Sequence, residues 1–188
     1  MNWLLLIVRL PPGESSRTRV AVWRELRKFG AAPVSSGVWT VPETPYFSSA
    51  VQKVVELAAR GSGEVLVLPT PGAEDHAADP LRSAFRNQRL DEWQEFSRDC
   101  KAFEEEIAKE TRNRKFTLAE LEEKEQSMER LRRWFRDLKS RDVLELAEAD
   151  AAEDLLRQCA VLFDEYAERV YSALHAPAGP LLSPGNGE

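Results

Sequence analysis

The apolar positions nearest the N-terminus form one unbroken run. Residues 3–8 are all hydrophobic, and Pro11 and Pro12 follow shortly after them. A short apolar run that is β-branched towards its end and stopped by prolines is typical of a strand buried on both faces. A membrane-spanning helix needs about 20 apolar residues, so this run is too short and no membrane partner is expected. The pattern predicts a central strand around which the first third of the chain is arranged.

Helix and turn signals divide the rest of this first third into alternating elements. Ser15 or Ser16 can cap a helix that ends at Gly30, and Thr44 can cap a second helix with a proline at its first position. The apolar segments at residues 32–34 and 38–41 are predicted to form a hairpin or a strand bent by a bulge. The order of elements predicts a ferredoxin-like βαββαβ sheet domain at residues 1–70. The predicted strands cover residues 32–34, 38–41 and 64–68.

The first predicted helix carries both apolar and basic residues. Its apolar stripe is expected to face the core, because aromatic residues at helical spacing are far more often core residues than ligand contacts. The stripe consists of Val22, Trp23, Leu26 and Phe29. The basic residues fall on the other faces of the helix and are Arg17, Arg24, Arg27 and Lys28.

Beyond a connector at residues 71–79, which is rich in proline, glycine and acidic residues, every long segment has a helical pattern. Two helices carry apolar seams at alternating intervals of three and four residues, which is typical of helices that pack side by side. A polar turn at residues 111–115 would bring the two seams face to face in an antiparallel pair. The seams are Trp93, Phe96, Cys100, Phe103 and Ile107, and Leu121, Lys124, Met128, Leu131, Phe135 and Leu138.

A third helix and a tail complete the predicted architecture. The apolar stripe of about residues 147–174 is wide enough to pack against two partner helices. We therefore predict an α+β protein in which a three-helix, antiparallel, coiled-coil-like bundle at residues 80–175 follows the sheet domain. Residues 176–188 have the composition of a linker and are predicted to be a disordered tail.

The charge is unevenly distributed along the chain. The net charge of −6 combines +3 for residues 1–71 with −9 for the remainder, which disfavours a general coat for nucleic acids but allows a local basic surface. Cys100 and Cys159 show no CxxC spacing, and no signal-peptide pattern is present, so a reducing cytoplasm is the expected location. Both cysteines lie on apolar seams, which predicts buried, structural thiols. No metal and no cofactor is expected, since only two histidines accompany the cysteines.

No catalytic pattern stands out in the sequence. It contains no glycine-rich phosphate loop, no nucleophile elbow and no HExxH motif. Asp75 and His76 in the connector could form half of an acid–base pair, but a solvated loop is the preferred interpretation because no nucleophile or third group accompanies them. We therefore predict that the protein is not an enzyme.

Basic residues form two rows at helical spacing. In the antiparallel register, both rows are expected at the end of the helical pair that lies next to the sheet domain, where they would form a site for an anion or a phosphate backbone. The alternative is that the side chains are solvated, or pair with Asp91, Glu92 or the acidic third helix and hold the helices together. One row is Arg82, Arg86 and Arg89, and the other is Arg132, Arg136 and Lys139, with Arg133 beside it.

Several segments together resemble a known family. They are WLLLI at residues 3–7, LP at 10–11, WREL at 23–26 after Arg19, FGAA at 29–32, GVWTVP at 37–42, ELE at 120–122, LRRW at 131–134 and RD at 141–142. These segments, together with the third helix, resemble the N-terminal part of ChrB, the family of chromate-resistance regulatory proteins. The resemblance extends to roughly residue 174 and rests on patterns of ordinary residues rather than on a catalytic signature.

The resemblance implies a bacterial cytoplasmic protein connected with the chromate-responsive control of a resistance operon. Operator DNA and chromate, as the effector, are the partners that it implies. The βαββαβ beginning is also similar to the dimerising middle domain of PaaX-type repressors, which implies a homodimer. Full-length ChrB proteins carry a second, C-terminal domain, which is not expected here, so chromate sensing by that domain is not carried over to this chain.

Two functions follow as hypotheses. The leading one is a transcriptional regulator, or its DNA-interacting half, that holds operator DNA through the two basic rows, although no helix-turn-helix is evident. The alternative is a module that does not bind DNA, dimerises through its sheet and offers its helices to a protein partner. Only the first hypothesis predicts an affinity for DNA that falls steeply as salt rises.

Overall fold

The computed structural model describes residues 1–11, 16–74 and 79–175 of the chain. Within these residues the protein is α+β, with one four-stranded antiparallel sheet and five helices. Ser15, Asp75, His76 and the tail at 176–188 lie outside the described residues. In chain order the elements are β1 Trp3–Arg9, α1 Ser16–Lys28, β2 Ala32–Ser35, β3 Val38–Pro42, α2 Pro45–Arg60, β4 Glu64–Thr70, α3 Pro80–Arg112, α4 Leu118–Arg141 and α5 Ala147–Leu174.

The sheet is organised around β1. The strands lie in the order β2-β3-β1-β4, and every neighbouring pair is antiparallel. Trp3 of β1 lies opposite Pro42 of β3 on one side and opposite Thr70 of β4 on the other. The predicted central position of the first strand is therefore confirmed. Strands β2 and β3 form the expected hairpin, and its register shifts between Pro33 and Ser35.

Helices α1 and α2 pack against each other, and together they contribute six of the fourteen buried residues that the structure describes in the core against the sheet. Burial of one aliphatic side chain contributes about 1.5–3 kcal/mol, so this cluster is a main source of stability. Gly30 ends α1 in the left-handed region, with φ at +83°, and the N–H of Ala31 donates to the carbonyl of Leu26 at 2.9 Å. The core residues shared by β1, α1 and α2 include Leu4, Leu6, Val22, Leu26, Val51 and Val54.

The start of α2 differs from the prediction in one respect. Thr44 occupies the N-cap position in an extended conformation, and a proline follows it in the first turn. However, the Thr44 side chain forms no capping hydrogen bond, and its hydroxyl oxygen is buried without a partner among the described residues. Pro45 presets the helical φ and has no N–H of its own, so the helix begins with one donor fewer to satisfy.

The chain divides into two compact units. Of the residues that the structure describes, those within Met1–Glu95 and Asp137–Ala149 form the first unit, and those within Phe96–Arg136 and Asp150–Glu188 form the second. This division does not follow the predicted boundary at residues 71–79, because the first turns of α3 pack into the sheet core. The ring of Phe85 lies 5.7 Å from the ring of Trp3 and 5.7 Å from that of Phe47. Trp3 also donates its indole N–H to the carboxylate of Asp79 at 2.9 Å.

The second unit contains parts of α3, α4 and α5, and the predicted seams form its interior. Phe96 lies 5.7 Å from Phe135 between ring centres, while Glu106 lies 3.1 Å from Lys124, so α4 runs antiparallel to α3. The N–H of Glu120 donates to the hydroxyl of Thr117, which confirms the predicted cap of α4. The buried residues of this interior include Phe96, Cys100, Phe103, Ile107, Leu121, Lys124, Met128, Leu131, Cys159, Tyr166 and Val170.

Candidate nucleic-acid interface

The basic row that was predicted on α3 belongs to the first unit and is divided between surface and interior. Arg86 is exposed, Arg82 is half-buried, and Arg89 is only 1% exposed. Lys139, near the end of α4, belongs to the same unit and is exposed. Three of these four basic residues can therefore be reached by a ligand from solution.

Arg89 lies at the centre of a buried ionic cluster. Its guanidinium lies 4.7 Å over the ring of Phe85, and its Nη2 donates to Oε1 of Glu92 at 2.9 Å. The other carboxylate oxygen of Glu92 lies 3.3 Å from Nε of Arg141, whose Nη1 donates to the carbonyl of Lys28 at 2.6 Å. The prediction of Arg89 as a nucleic-acid contact is corrected here, because a guanidinium enclosed by protein cannot reach a phosphate.

The electrostatics of this cluster explain why the charge of Arg89 needs several partners. Burial lowers the pKa of Arg89 to about 10, against the raising effects of Glu92 and Asp142. The side chain remains protonated at neutral pH, so its charge must be balanced within the protein. Asp142 is itself fixed by hydrogen bonds from the indole N–H of Trp93 and the backbone N–H of Leu146. For Arg89, the alternative given in the sequence analysis is therefore the correct one: its side chain pairs with Glu92 inside the protein instead of binding a ligand.

Arg141 and Asp142 were not predicted from the sequence as members of this cluster. The glycine at position 30 was the one sequence feature that pointed to it. Gly30 stands at the end of α1, where a Cβ atom would lie 2.4 Å from Nη1 of Arg89 and 2.7 Å from Cδ of Arg141. Only glycine permits so close an approach by two long side chains. The conformational role of Gly30 was predicted, but its packing role was not.

The row on α4 that lies in the second unit is mostly exposed. Arg133 and Arg136 are exposed, and the side chain of Arg132 is 41% exposed while its Nη1 donates to Oε1 of Glu129 at 2.7 Å. Arg130 is also exposed, and no acidic residue occurs between positions 130 and 136. Exposed guanidinium groups can donate paired hydrogen bonds to phosphate or carboxylate oxygens. This segment of α4 is therefore a cationic surface capable of binding a polyanion.

A second cationic surface lies on α1, where Arg17, Arg24, Arg27 and Lys28 were predicted off the core stripe and are exposed. Trp23 was predicted to be buried, but its side chain is 49% exposed, and Val20 is 42% exposed. Val22 and Leu26 carry the buried side of the helix. Since Trp23 follows Val22 by one residue, it is rotated by about 100° from the buried direction, which explains the error.

Other groups that could carry chemistry are enclosed or dispersed. Cys100 and Cys159 are free and buried, as predicted, and the thiol of Cys159 lies 3.5 Å from the carbonyl oxygen of Cys100. Hydrogen bonding to Cys159 and burial raise the pKa of the Cys100 thiol, which disfavours the reactive thiolate. The described residues contain no cluster of three or more His, Cys, Asp or Glu side chains suited to a metal. Among the same residues, no helix is long and apolar enough to span a bilayer.

Comparison with known proteins gives a family match over most of the chain. The family model described as "Protein ChrB, N-terminal" matches residues 19–177. A protein of Cupriavidus metallidurans (strain ATCC 43123 / DSM 2839 / NBRC 102507 / CH34) named "Protein ChrB" is 32% identical over 92 residues, which are 48% of this chain. The match covers 28% of the length of that relative. No solved structure matches the chain.

Proposed function

The chain belongs to the ChrB family, in the part described as N-terminal, and from this membership we propose that it is a regulatory protein of chromate resistance. In this proposal it acts in the bacterial cytoplasm as a transcriptional regulator, or as its DNA-interacting half, and contacts operator DNA. Chromate is the proposed effector. No catalytic step is part of the proposal.

The observation that carries the DNA contact is the cationic segment of α4. Its four arginines within seven residues, Arg130, Arg132, Arg133 and Arg136, are exposed or half-buried. Residues 131–135 contain no acid, and Glu129 just before the segment forms an ion pair with Arg132. Each phosphate contact contributes about 0.9 to the slope of log affinity against log salt for duplex DNA. A few arginines are therefore sufficient for a measurable, salt-dependent contribution. Arg82, Arg86 and Lys139 of the first unit are proposed as further phosphate contacts.

Charge reversal tests this proposal directly. The variant Arg133→Glu/Arg136→Glu should bind duplex DNA from upstream of its own operon at least tenfold more weakly at low salt. Its salt slope should fall by about 1.8, since two phosphate contacts are lost. The matched control is Arg98→Glu/Lys101→Glu, which reverses two exposed charges in the second unit outside the α4 segment. Fluorescence anisotropy at several salt concentrations gives both quantities, and adding chromate to the wild-type complex tests the effector.

Unchanged affinity and slope in a folded Arg133→Glu/Arg136→Glu variant would exclude the α4 segment as the operator contact. The same titration of Arg82→Glu/Arg86→Glu then decides whether the α3 residues hold the DNA instead. If neither variant differs from the control, the assignment of the DNA contact to the two rows is wrong.

The sheet supports the second candidate function, which is dimerisation. Leu5 and Ile7 of β1 alternate with the core residues of that strand, and they pair with Leu68 and Leu66 of β4. None of these four belongs to the core cluster, and Leu68 is 45% exposed. An apolar sheet surface of this kind is compatible with a homodimer. Sedimentation analysis tests it, because Leu68→Glu should yield monomers if the sheets pair face to face.

The finer fold class is also a proposal. We propose that the sheet and its two helices are ferredoxin-like, and that the segments of α3, α4 and α5 form an antiparallel three-helix bundle. The strand order β2-β3-β1-β4 supports the first part, because β3 lies between the two strands that α1 connects. The buried seams support the second part. An experimental structure with a different strand order would contradict the ferredoxin-like assignment.

A further inference from the structure

We propose that the outward face of α1 binds an unpaired nucleic-acid strand, with arginines on the phosphates and Trp23 against a base. This outward face is defined here as Arg17, Val20, Trp23, Arg24 and Arg27. The proposal goes beyond the proposed function, since it concerns another helix and single-stranded rather than operator duplex DNA. It begins from the position of a large exposed aromatic side chain among exposed cations.

The spacing of these residues places them together on the helix surface. Val20, Trp23, Arg24 and Arg27 occupy positions i, i+3, i+4 and i+7, and Arg17 lies three residues before Val20. Residues at these intervals are neighbours on one side of an α-helix. The three arginines are exposed, and Val20 and Trp23 are 42% and 49% exposed. The outward face is therefore a continuous patch open to solvent.

The charge of α1 is strongly positive. The helix carries five basic residues, while Glu25 is its only acidic residue, and Glu25 does not belong to the outward face. Within the described parts of the chain, neither Arg17 nor Arg24 forms an ion pair. The side chains that the structure describes therefore do not neutralise the positive charge of the outward face, which favours an anionic ligand.

The contact between Arg27 and Trp23 prepares the indole for stacking. The guanidinium carbon of Arg27 lies 5.0 Å from the centre of the Trp23 ring, within the range of a cation–π interaction. This contact restrains two side chains that would otherwise lose rotamer freedom on binding. A base can stack on the exposed, restrained indole ring. The guanidinium groups beside the indole can then donate hydrogen bonds to the phosphates that flank this base.

The same observations disfavour two other kinds of partner. A helix that lies on a membrane buries a broad apolar face in the lipid, whereas the apolar side of α1, with Val22 and Leu26, already lies in the protein core. An acidic polypeptide would satisfy the arginines but offers carboxylates rather than aromatic rings, so Trp23 would contribute little. An unpaired strand supplies both the phosphates and the accessible ring faces, while the bases of a duplex are already stacked.

The test uses the full chain and a fluorescein-labelled oligo-dT strand of twelve nucleotides, with anisotropy measured at several salt concentrations. Arg24→Glu/Arg27→Glu should weaken binding at least tenfold and lower the salt slope by about 1.4, as two single-strand phosphate contacts are lost. Trp23→Ala should weaken binding by about 5- to 150-fold, the range for one stacked base. Trp23→Phe should retain most of the affinity, because phenylalanine still offers a ring face.

Lys53→Glu/Arg60→Glu is the matched control for the double variant, since it reverses two exposed charges on α2 in the same unit. Thermal melts show whether each variant is folded, and the exposure of Trp23 predicts little loss of stability for Trp23→Phe. Equal binding by the α1 variants and the control overturns the proposal, as does the absence of binding by the wild type at 50 mM salt. A third outcome would also overturn the proposal: poly-L-glutamate, added at the same concentration of charges, displaces the strand, and Trp23→Ala does not change the affinity. The surface would then bind polyanions in general.

This result is separable from the operator experiment. Loss of oligo-dT binding in the α1 variants with normal operator binding supports the α1 surface whatever the outcome for α4. In the opposite case, Arg133→Glu/Arg136→Glu loses operator binding while the α1 variants bind oligo-dT as well as the wild type does. This result supports the proposed function and overturns the inference about α1.

Discussion

The buried ionic cluster of the first unit makes a quantitative prediction for Glu92→Gln. Glu92 faces two guanidinium groups, that of Arg89 at 2.9 Å and that of Arg141 at 3.3 Å, and the side chains of these arginines are 1% and 9% exposed. The substitution keeps the size of the side chain but removes the negative charge between them. Of the two acids whose charges raise the pKa of Arg89, Glu92 and Asp142, only Asp142 then keeps its charge.

The expected loss of stability follows from the cost of an uncompensated buried charge. Removing one partner of a buried pair costs about 3–5 kcal/mol. We expect a loss near the lower end of this range for two reasons. The side chain of Glu92 is 13% exposed, and the amide oxygen of glutamine can still accept a hydrogen bond from Arg89. We expect a loss of about 3 kcal/mol, which is a large share of the 5–15 kcal/mol typical of a whole domain.

Urea unfolding followed by tryptophan fluorescence measures this loss. Trp3, Trp23, Trp39 and Trp93 belong to the first unit, so the signal reports mainly on the unit that contains the cluster. With m of about 1–3 kcal/mol/M, the midpoint should fall by about 1–3 M. Glu95→Gln is the control, because Glu95 is an exposed acid of the same helix and unit. Adding Arg89→Met to Glu92→Gln should recover part of the stability, since it removes one uncompensated charge.

A Glu92→Gln midpoint equal to that of the Glu95→Gln control would refute this reasoning. It would mean that the charge of Glu92 is not needed to keep the two arginines in the interior. Failure of Arg89→Met to recover any stability would instead place the loss in packing rather than in charge.

Two further predictions concern positions near this cluster and at the start of α3. Gly30→Ala should destabilise the protein by about 2 kcal/mol or more, because φ is +83° and a Cβ would lie 2.4 Å from Arg89 and 2.7 Å from Arg141; urea unfolding measures it. For Asp79, burial raises the pKa, but hydrogen bonds from the backbone of the next turn and from Trp3 outweigh it and hold the pKa below its ordinary 3.8. A carboxyl group whose pKa is lower in the folded than in the unfolded protein stabilises the fold at any pH above its unfolded pKa. This contribution is lost as the pH falls through the pKa of the folded state. Asp79→Asn should therefore be less stable than wild type at pH 7, by about 1 kcal/mol, and the difference should shrink below pH 3.8; a constant difference across this range would contradict the assignment.

The sequence was sufficient to predict those elements whose boundaries are marked by local chemistry. The predicted third helix at about residues 147–174 is α5, Ala147–Leu174, and the prolines and Thr117 mark the starts of α2, α3 and α4. The heptad seams also predicted which side chains are buried, including Cys100 and Met128. These features depend on residues close together in the chain, which is why a pattern can reveal them.

The division into units could not be predicted in this way, because it depends on contacts between residues far apart. Nothing in the local pattern near Phe85 shows that its ring lies between those of Trp3 and Phe47. The hydrogen bond from Arg141 to the carbonyl of Lys28 likewise joins positions 113 residues apart. Such contacts place the first turns of α3 and the end of α4 in the sheet unit, whereas composition alone suggested a boundary at the connector.

The position of Arg89 could have been recognised from spacing, and this bears on where nucleic acid is expected to bind. Arg89 lies four residues after Phe85 and four before Trp93, so it occupies the apolar stripe of α3, which its 1% exposure reflects. Arg86 lies one residue after Phe85, about 100° from it around the helix, and is exposed. Arg82 lies three residues before Phe85, on the same side of α3, but in the first turn of the helix, where it is only half-buried. The α3 row therefore offers two accessible arginines, so Arg86→Glu alone should lower a duplex salt slope by no more than about 0.9. The larger effects are expected from the exposed arginine pairs on α4 and α1, where no side chain of the pair is needed to balance a buried charge.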